Sequence, residues 1–132
     1  MAKIAEIPNI AGIKDAGGNM SKTMETLRLV CDKCDVYSGE DALNFPILAV
    51  GGAGVISVLS NIMPKEVKTL CTLIKAGKLE EAAELNDKLL PVANACFCEV
   101  NPIPVKAAMN LIGFNAGTPR APLTEIDPQN KE

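Results

Sequence analysis

The chain contains no histidine and no tryptophan, and it has a single tyrosine. The absence of imidazole excludes histidine-based metal sites and both Ser/His/Asp and Cys/His catalysis. A dinucleotide-binding fingerprint is absent too, because Gly12, Gly17 and Gly18 do not have the required spacing. We therefore expect no metal and no cofactor, and any chemistry has to come from other side chains.

Positive charge is scarce as well. The chain carries 13 lysine and arginine residues against 16 aspartate and glutamate residues, a formal net charge of −3, and the two signs are interspersed. Such a pattern offers no basic stripe to a phosphate backbone and no polybasic segment to an anionic membrane. Neither nucleic acid nor a membrane is expected as a partner.

The cysteines do not follow the pattern of a secreted protein. Five is an odd number in a chain of 132 residues, and no charged and then apolar leader follows Met1. We therefore expect reduced thiols and a cytoplasmic protein. Cys31 with Cys34, and Cys96 with Cys98, have spacings that could serve zinc. Because Cys31 and Cys96 fall on predicted apolar helix faces, we interpret them instead as small hydrophobic residues.

One uncharged stretch, residues 42–64, is long enough to span a bilayer as a helix. Proline, glycine and polar residues interrupt it, and they include Pro46, Gly51, Gly52 and Asn61. A buried helix, a glycine turn and a buried strand account for the same residues without a membrane. We adopt that interpretation.

Hydrophobic residues make up 48% of the chain and charged residues 22%, which is typical of one globular domain. Strand patterns at residues 9–14, 35–37 and 54–58 alternate with helical patterns, the second of which spans roughly residues 41–50. This alternation predicts βα units and a parallel sheet.

The first predicted helix has an apolar stripe. Asn19 can cap this helix, and Met20, Met24, Leu27 and Cys31 recur at spacings of four, three and four residues. We expect that stripe to face the core.

Beyond the third predicted strand the chain is helical. Pro64 suits the first turn of a helix that Gly77 terminates. A longer helix follows, and Pro91 should kink it or divide it in two. The prolines of residues 101–104 exclude regular helix, and residues 105–111 form the last predicted helix.

Lys14 ends the first predicted strand. Because alternate side chains of a strand share a face, Ile10, Gly12 and Lys14 point to the same side. Ligand sites of α/β folds collect at the carboxyl ends of strands, where a lysine that loses its hydration becomes available as a nucleophile. From spacing alone, however, a lysine at the end of a strand is more often solvated than catalytic.

Four sequence blocks change this interpretation. They are NIAGIKDA at residues 9–16, SGED at 38–41, GGAGVISV at 51–58 and NPIPVK at 101–106. The first resembles the segment that carries the Schiff-base lysine in the dihydrodipicolinate synthase and N-acetylneuraminate lyase superfamily, and the others follow in the order found there. The last block is similar to the synthases in particular. The resemblance covers nearly the whole chain.

The resemblance implies an α/β fold that is a partial (β/α)8 TIM barrel. Members of the superfamily are eight-stranded barrels followed by a small helical extension, and the lysine lies on the sixth strand. Residues 1–77 would then hold the last three βα units, and residues 78–132 the carboxy-terminal helical extension and tail. Three parallel strands cannot close a barrel, so the outer strands would keep unpaired backbone groups.

By resemblance, Lys14 is the catalytic lysine, and Gly39 and Ile56 are substrate-binding residues. Gly39 would let the backbone approach the ligand, and Ile56 would pack near pyruvate and help to exclude water. The implied reaction condenses pyruvate with aspartate semialdehyde through a lysine Schiff base, in lysine and diaminopimelate biosynthesis. A plain turn glycine at position 39 and a core isoleucine at position 56 remain structural alternatives.

The other polar residues near the strand ends receive structural interpretations. We interpret Asp15, Glu40 and Asp41 as solvated loop carboxylates. Tyr37 is interpreted as a packed strand residue rather than a proton donor. Lys14 is then the one predicted reactive side chain.

In the superfamily, the groups that move protons and bind the carboxylate of pyruvate precede the lysine, and they have no counterpart here. We therefore expect a synthase portion that is inactive without the missing half. Its partner would be further copies of the chain, in a homo-oligomer, or a complementing amino-terminal half-barrel chain. Two alternatives stay open: a non-catalytic half-barrel that associates through its strand edges, and another pyruvate aldolase, such as N-acetylneuraminate lyase or a keto-deoxy-sugar aldolase.

Overall fold

Three short strands form one parallel sheet in the computed structural model, which describes residues 1–131. The strands lie side by side in sequence order: β1 (Gly12–Asp15), β2 (Asp35–Ser38) and β3 (Gly54–Val55). Lys14 lies opposite Tyr37, and Tyr37 lies opposite Gly54. The predicted α/β class and the parallel sheet are confirmed.

The first strand is shorter than predicted. It begins at Gly12 rather than at residue 9, because the preceding residues form a series of turns. In the last of these turns the N–H of Ile10 donates to the carbonyl of Ile7 at 3.0 Å. That hydrogen bond uses a donor that a longer strand would direct toward a neighbouring strand.

The third strand is also shorter, ending at Val55 rather than at residue 58. It is the last strand of the sheet and pairs on one side only. Beyond Ile56 the chain leaves the sheet and enters a short 3-10 helix (Leu59–Asn61). The backbone N–H groups of Val58 and Leu59 donate to the side chain of Asp41 and not to a neighbouring strand.

Helix α1 (Met20–Val30) connects β1 to β2 and begins where the sequence predicts. The side chain of Asn19 accepts a hydrogen bond from the N–H of Lys22 at 3.1 Å. This bond satisfies one of the backbone donors that a helix leaves unpaired at its amino end.

The predicted buried stripe of α1 is wrong in part. Its buried residues are Thr23, Leu27 and Val30. Met24 is 52% exposed, and Cys31, just beyond the helix, is exposed too. The stripe includes a polar residue because the Thr23 hydroxyl donates to the carbonyl of Asn19 at 3.1 Å, which removes the cost of burying it.

The connection from β2 to β3 is a 3-10 turn (Asp41–Leu43) followed by helix α2 (Asn44–Ala49). Gly51 follows with a φ of +108°, a conformation that favours glycine. At Gly52 a Cβ atom would lie 2.8 Å from the carbonyl oxygen of Ile47. The glycine pair therefore ends the helix as predicted.

No helix among the described residues is long and apolar enough to cross a membrane. The uncharged stretch 42–64 contains a helix, a glycine turn and a strand, as expected from its composition.

Three longer helices follow the sheet: α3 (Pro64–Lys75), α4 (Leu79–Ala95) and α5 (Ile103–Leu111). Pro64 opens α3, and Gly77, with a φ of +73°, follows its end, both as predicted. The predicted division at Pro91 does not occur, since α4 continues across it. Helix α5 begins earlier than predicted, at Ile103, because Pro104 fits a first turn that needs no N–H donor.

Helices cover one face of the sheet and leave the other face open. A small cluster lies between the amino-terminal turns, α1 and β2, and its buried members are Ala5, Leu27, Val30, Cys34 and Val36. The larger cluster lies mainly among α2, α3 and α4, and its buried members are Leu48, Leu59, Val67, Leu70, Ile74, Ala82, Leu89, Ala93 and Cys96. This cluster contains residues from both sides of position 77. The division of the chain into residues 1–77 and 78–132 stays a prediction.

Replacing Pro91 with alanine is expected to raise the free energy of unfolding by about 1–3 kcal/mol. Proline has no N–H to donate to the carbonyl of Asp87, one helical turn earlier, and alanine restores that donor. Urea unfolding followed by circular dichroism measures the change. Pro64→Ala is the matched control, because proline is tolerated in a first turn. A lower free energy of unfolding for Pro91→Ala than for the unmodified chain would contradict the prediction.

Candidate active site

The three predicted site residues come together at the carboxyl ends of the strands. Lys14 lies near the end of β1. Gly39 follows β2, and its N–H donates to the carbonyl of Asp15 at 2.7 Å. Ile56 follows β3, and its N–H donates to the carbonyl of Ser38 at 2.7 Å. Strand alternation places all three predicted residues on the open face of the sheet.

The Lys14 side chain passes directly over Gly39. A Cβ atom at position 39 would lie 2.5 Å from Lys14 Cε and 2.8 Å from Lys14 Cγ. Any side chain there would displace the aliphatic stem of the lysine. Glycine at position 39 thus sets the path of Lys14, in addition to the close ligand approach expected from the sequence.

The aromatic ring of Tyr37 lies against the same face of the sheet, between the two flanking strands. A Cβ atom at Gly12 would lie 2.9 Å from Tyr37 Cε2, and one at Gly54 would lie 3.2 Å from Tyr37 Cδ1. The ring therefore occupies space that two glycines on the flanking strands leave free. This arrangement agrees with the interpretation of Tyr37 as a packed strand residue.

The hydroxyl group of Tyr37 points toward the amino end of its strand. It donates a hydrogen bond to Asp35 Oδ2 at 3.1 Å, and this bond raises the pKa of Tyr37. The phenol therefore stays protonated at neutral pH. Because Asp35 begins β2 whereas Lys14 lies near the carboxyl end of β1, the hydroxyl is directed away from the lysine amine.

The candidate site is open to solvent. Lys14 is exposed, and Ile56 is 47% exposed. The ion pairs found within residues 1–131 lie elsewhere: Arg28 with Glu25, Lys33 with Glu6, and Lys78 with Glu81. The amine of Lys14 is thus accessible to a small carbonyl compound from the open face.

The interpretation of Asp41 as a solvated carboxylate is wrong. Asp41 is only 6% exposed. Its Oδ2 atom accepts the N–H groups of Val58 at 2.8 Å and Leu59 at 2.9 Å, and its Oδ1 atom accepts the side-chain amide of Asn44 at 2.8 Å. An asparagine three residues after an aspartate, at the start of an apolar helix, is a sequence signal for the bond to Asn44, but it gives no indication of the bonds to Val58 and Leu59.

The other two acids are partly exposed. Asp15 Oδ1 accepts the N–H of Gly17 at 3.0 Å, which stabilises the turn after β1. Glu40 is partly buried, and its carbonyl accepts a hydrogen bond from the hydroxyl of Ser38 at 3.0 Å.

All five cysteines are free thiols. Cys96 is buried, as expected of a small hydrophobic residue, whereas Cys31 is exposed, so the same expectation is wrong there. Cys34 is buried as well. Burial raises the pKa of the Cys96 thiol and of the Cys71 thiol, which makes both less reactive at neutral pH. Across residues 1–131, no cluster of three or more cysteine, aspartate or glutamate side chains has the arrangement of a metal site.

The arrangement offers one chemical capability. A primary amine at the carboxyl end of a parallel strand, over a glycine and beside an apolar side chain, can add to a carbonyl group and form an imine. Within residues 1–131, no carboxylate or phenol forms a hydrogen bond or an ion pair with that amine.

The profile of the Dihydrodipicolinate synthetase family matches residues 1–132. One similar protein is the 4-hydroxy-tetrahydrodipicolinate synthase of Caldicellulosiruptor bescii, which is 49% identical over 132 residues. That match covers 100% of this chain and 44% of the relative. The chain therefore spans less than half the length of the curated relative that it matches.

Two solved structures also match the chain over a little less than half of their own length. The dihydrodipicolinate synthase of Aquifex aeolicus matches with a TM-score of 0.94 and 39% identity, over 99% of this chain and 45% of that one. The chloride-inhibited dihydrodipicolinate synthase of Acinetobacter baumannii, complexed with pyruvate, matches with a TM-score of 0.94 and 38% identity, over 98% of this chain and 45% of that one.

Proposed function

The chain belongs to the dihydrodipicolinate synthetase family, and from that premise we propose that it is the carboxy-terminal portion of a 4-hydroxy-tetrahydrodipicolinate synthase. The substrates would be pyruvate and aspartate semialdehyde, and the reaction would serve lysine and diaminopimelate biosynthesis in the cytoplasm. The synthase names of the relatives favour this reaction over those of sialic-acid lyases and keto-deoxy-sugar aldolases.

In this proposal the sheet is part of a (β/α)8 barrel. Residues 1–77 contribute three βα units, and residues 78–132 form the helical extension. Parallel strands that follow sequence order, with helices on one face only, support the proposal. A complementing amino-terminal half-barrel, or further copies of the chain, would cover the open face and the free edges of β1 and β3.

The proposed chemistry begins at the amine of Lys14. Its nitrogen attacks the carbonyl carbon of pyruvate, and loss of water leaves an imine. The methyl group of the imine then loses a proton to give an enamine, whose carbon attacks the aldehyde of aspartate semialdehyde. The amino group of the second substrate closes the ring and displaces Lys14, which regenerates the free amine.

One observation carries the proposal: Lys14 lies on the open face at the carboxyl end of its strand, with its stem over Gly39. Gly39 leaves the space that the lysine and a bound carbonyl compound need. Ile56, which directly follows β3 and lies across from Gly39, offers an apolar surface that would exclude water from the imine.

Reductive trapping tests the proposal. The chain is mixed with a fragment that supplies the rest of a curated relative, and pyruvate and borohydride are added. Borohydride reduces the imine to a stable secondary amine, and peptide mass spectrometry then locates the modified lysine. We expect modification at Lys14. Modification spread evenly over the exposed lysines would contradict the proposal.

A second candidate is a non-catalytic half-barrel that associates through its strand edges. The exposure of Lys14 and Ile56 favours it, because water in an open site competes for the imine. A mixture that assembles but never traps pyruvate at Lys14 would support this candidate.

Replacing Gly39 with alanine is expected to lower trapping at Lys14 on the order of 10²-fold, because displacement of a reacting group by about 1 Å can cost that much. The new Cβ atom would meet Lys14 Cε and Cγ, which can rotate away, and it would lie 3.0 Å from Ala16 Cβ, which cannot, so we expect a modest loss of stability on the order of 1 kcal/mol. Gly17→Ala is the matched control in the same region, since its Cβ atom would meet only Asp15 Oδ1, at 3.3 Å. Equal trapping by the two variants would contradict the prediction.

A further inference from the structure

The carboxylate of Asp41 joins two segments that are distant in sequence. Asp41 begins the 3-10 turn after β2, and it accepts the backbone N–H groups of Val58 and Leu59, after β3. Both bonds reach Oδ2, at 2.8 Å and 2.9 Å. At 6% exposure, the carboxylate is shielded from water, so these bonds have little competition.

Ile56 lies between two fixed points of the backbone. Its own N–H donates to the carbonyl of Ser38 at 2.7 Å, which is the last sheet-like bond of β3. The next anchored groups are the N–H groups of Val58 and Leu59 on Asp41. Because β3 has no neighbour on its other side within residues 1–131, the sheet does not hold this segment beyond Ile56.

Asn44 fixes the orientation of the Asp41 carboxylate. It is 2% exposed, and its side-chain N–H group donates to Asp41 Oδ1 at 2.8 Å. Asn44 Oδ1 is buried and has no hydrogen-bond partner within residues 1–131. The Asn44 side chain therefore donates to the Asp41 carboxylate although its own amide oxygen stays without a partner. This cost indicates that the bond to Asp41 determines the orientation of the Asn44 amide.

We propose that Asp41 is a positioning residue that holds residues 56–59 so that Ile56 faces Lys14 and Gly39. The inference rests on the proposed function, because it gives Ile56 its purpose at the pyruvate end of the site. Asp41 acts through the backbone of the 56–59 segment and does not touch the substrate.

Hydrogen exchange of individual backbone amides tests the positioning without reference to activity. In Asp41→Ala the amides of Val58 and Leu59 should exchange about 10- to 100-fold faster, because both lose a hydrogen bond to a buried, charged acceptor. In Asp41→Asn the remaining amide oxygen can still accept both N–H groups, so exchange there should accelerate less than about tenfold. Amides of α1 should keep their protection in both variants.

Two results would overturn the proposal. One is unchanged exchange at Val58 and Leu59 in Asp41→Ala. The other is faster exchange spread evenly over α1 and residues 56–59, because that result would mark Asp41 as a general stability residue.

Pyruvate trapping in the complemented mixture is the functional readout. Asp41→Ala and Ile56→Ala should both reduce trapping at Lys14 by about tenfold or more, and only Asp41→Ala should expose the amides of Val58 and Leu59. Asp41→Asn should restore most of the trapping. If the unmodified chain traps no pyruvate at Lys14, the proposed function fails, whereas the exchange data still decide whether Asp41 holds the segment.

Discussion

The chain alone is expected to turn over pyruvate and aspartate semialdehyde at a negligible rate, and mixing with a complementing amino-terminal fragment is expected to produce activity. A positioned proton shuttle typically contributes on the order of 10² to 10⁴ in rate, and orientation of two bound substrates contributes more. The described residues provide a nucleophile, and none of their carboxylates or phenols forms a hydrogen bond or an ion pair with it. Tyr37 does not fill that role, because its hydroxyl bonds to Asp35.

The measurement is a coupled assay of the consumption of both substrates, run on the chain, on the fragment and on their mixture. The fragment alone is the matched control, because it lacks the lysine-bearing strand. If the activity of the chain alone approached that of a whole synthase, the prediction that turnover needs groups supplied by the amino-terminal fragment would be wrong. A mixture that forms a complex without activity would favour the non-catalytic half-barrel.

Much of the candidate site could be predicted from sequence because its members lie in short blocks at strand ends. Alternation along a strand placed Lys14 on the same face as Gly12, and the parallel sheet brought Gly39 and Ile56 to the same edge. These relations depend on neighbours in sequence and on strand direction. Both can be inferred from periodicity and from turn residues, whereas the choice of Lys14, Gly39 and Ile56 as site residues came from the resemblance of the four sequence blocks.

The role of Asp41 could not be predicted in the same way. An aspartate after a glycine turn is usually solvated, and its burial here depends on Val58 and Leu59, which reach it from another strand. The early end of β3 has the same cause, because the N–H group of Val58, which lies within the predicted strand, is bonded to this carboxylate. Such contacts between distant segments leave no periodic signal.

The buried face of α1 shows a second limit of sequence patterns. The apolar spacing along α1 predicts that Met24 is buried, yet Thr23, its neighbour in sequence, is buried in its place. The packing of the helix in the tertiary structure decides which of the two faces the core. Thr23 is buried because its hydroxyl bonds to the helix backbone, a local solution that hydrophobicity alone does not reveal. The continuity of α4 across Pro91 is similar, because packing of the helix on α3 opposes the local break.

Replacing Lys14 with alanine is expected to abolish pyruvate trapping at that position and to reduce the activity of the complemented mixture by on the order of 10³-fold or more, as removal of a covalent nucleophile does. Lys14 is exposed and lies outside both core clusters, so the free energy of unfolding should change by less than about 0.5 kcal/mol. Loss of function with an intact fold would then reflect the missing amine.

Lys22→Ala is the matched control for this experiment. Lys22 is also an exposed lysine, in the first turn of α1 close after β1, but its side chain belongs to a helix and not to the open face of the sheet. Each variant is mixed with the same fragment, and trapping, substrate consumption and urea unfolding are measured in parallel. If Lys14→Ala retains activity while Lys22→Ala loses it, the imine forms at a different lysine and Gly39 has no part in positioning it. Activity lost only in Lys14→Ala would identify Lys14 as the amine that forms the imine, because no other amine of the mixture would then replace it.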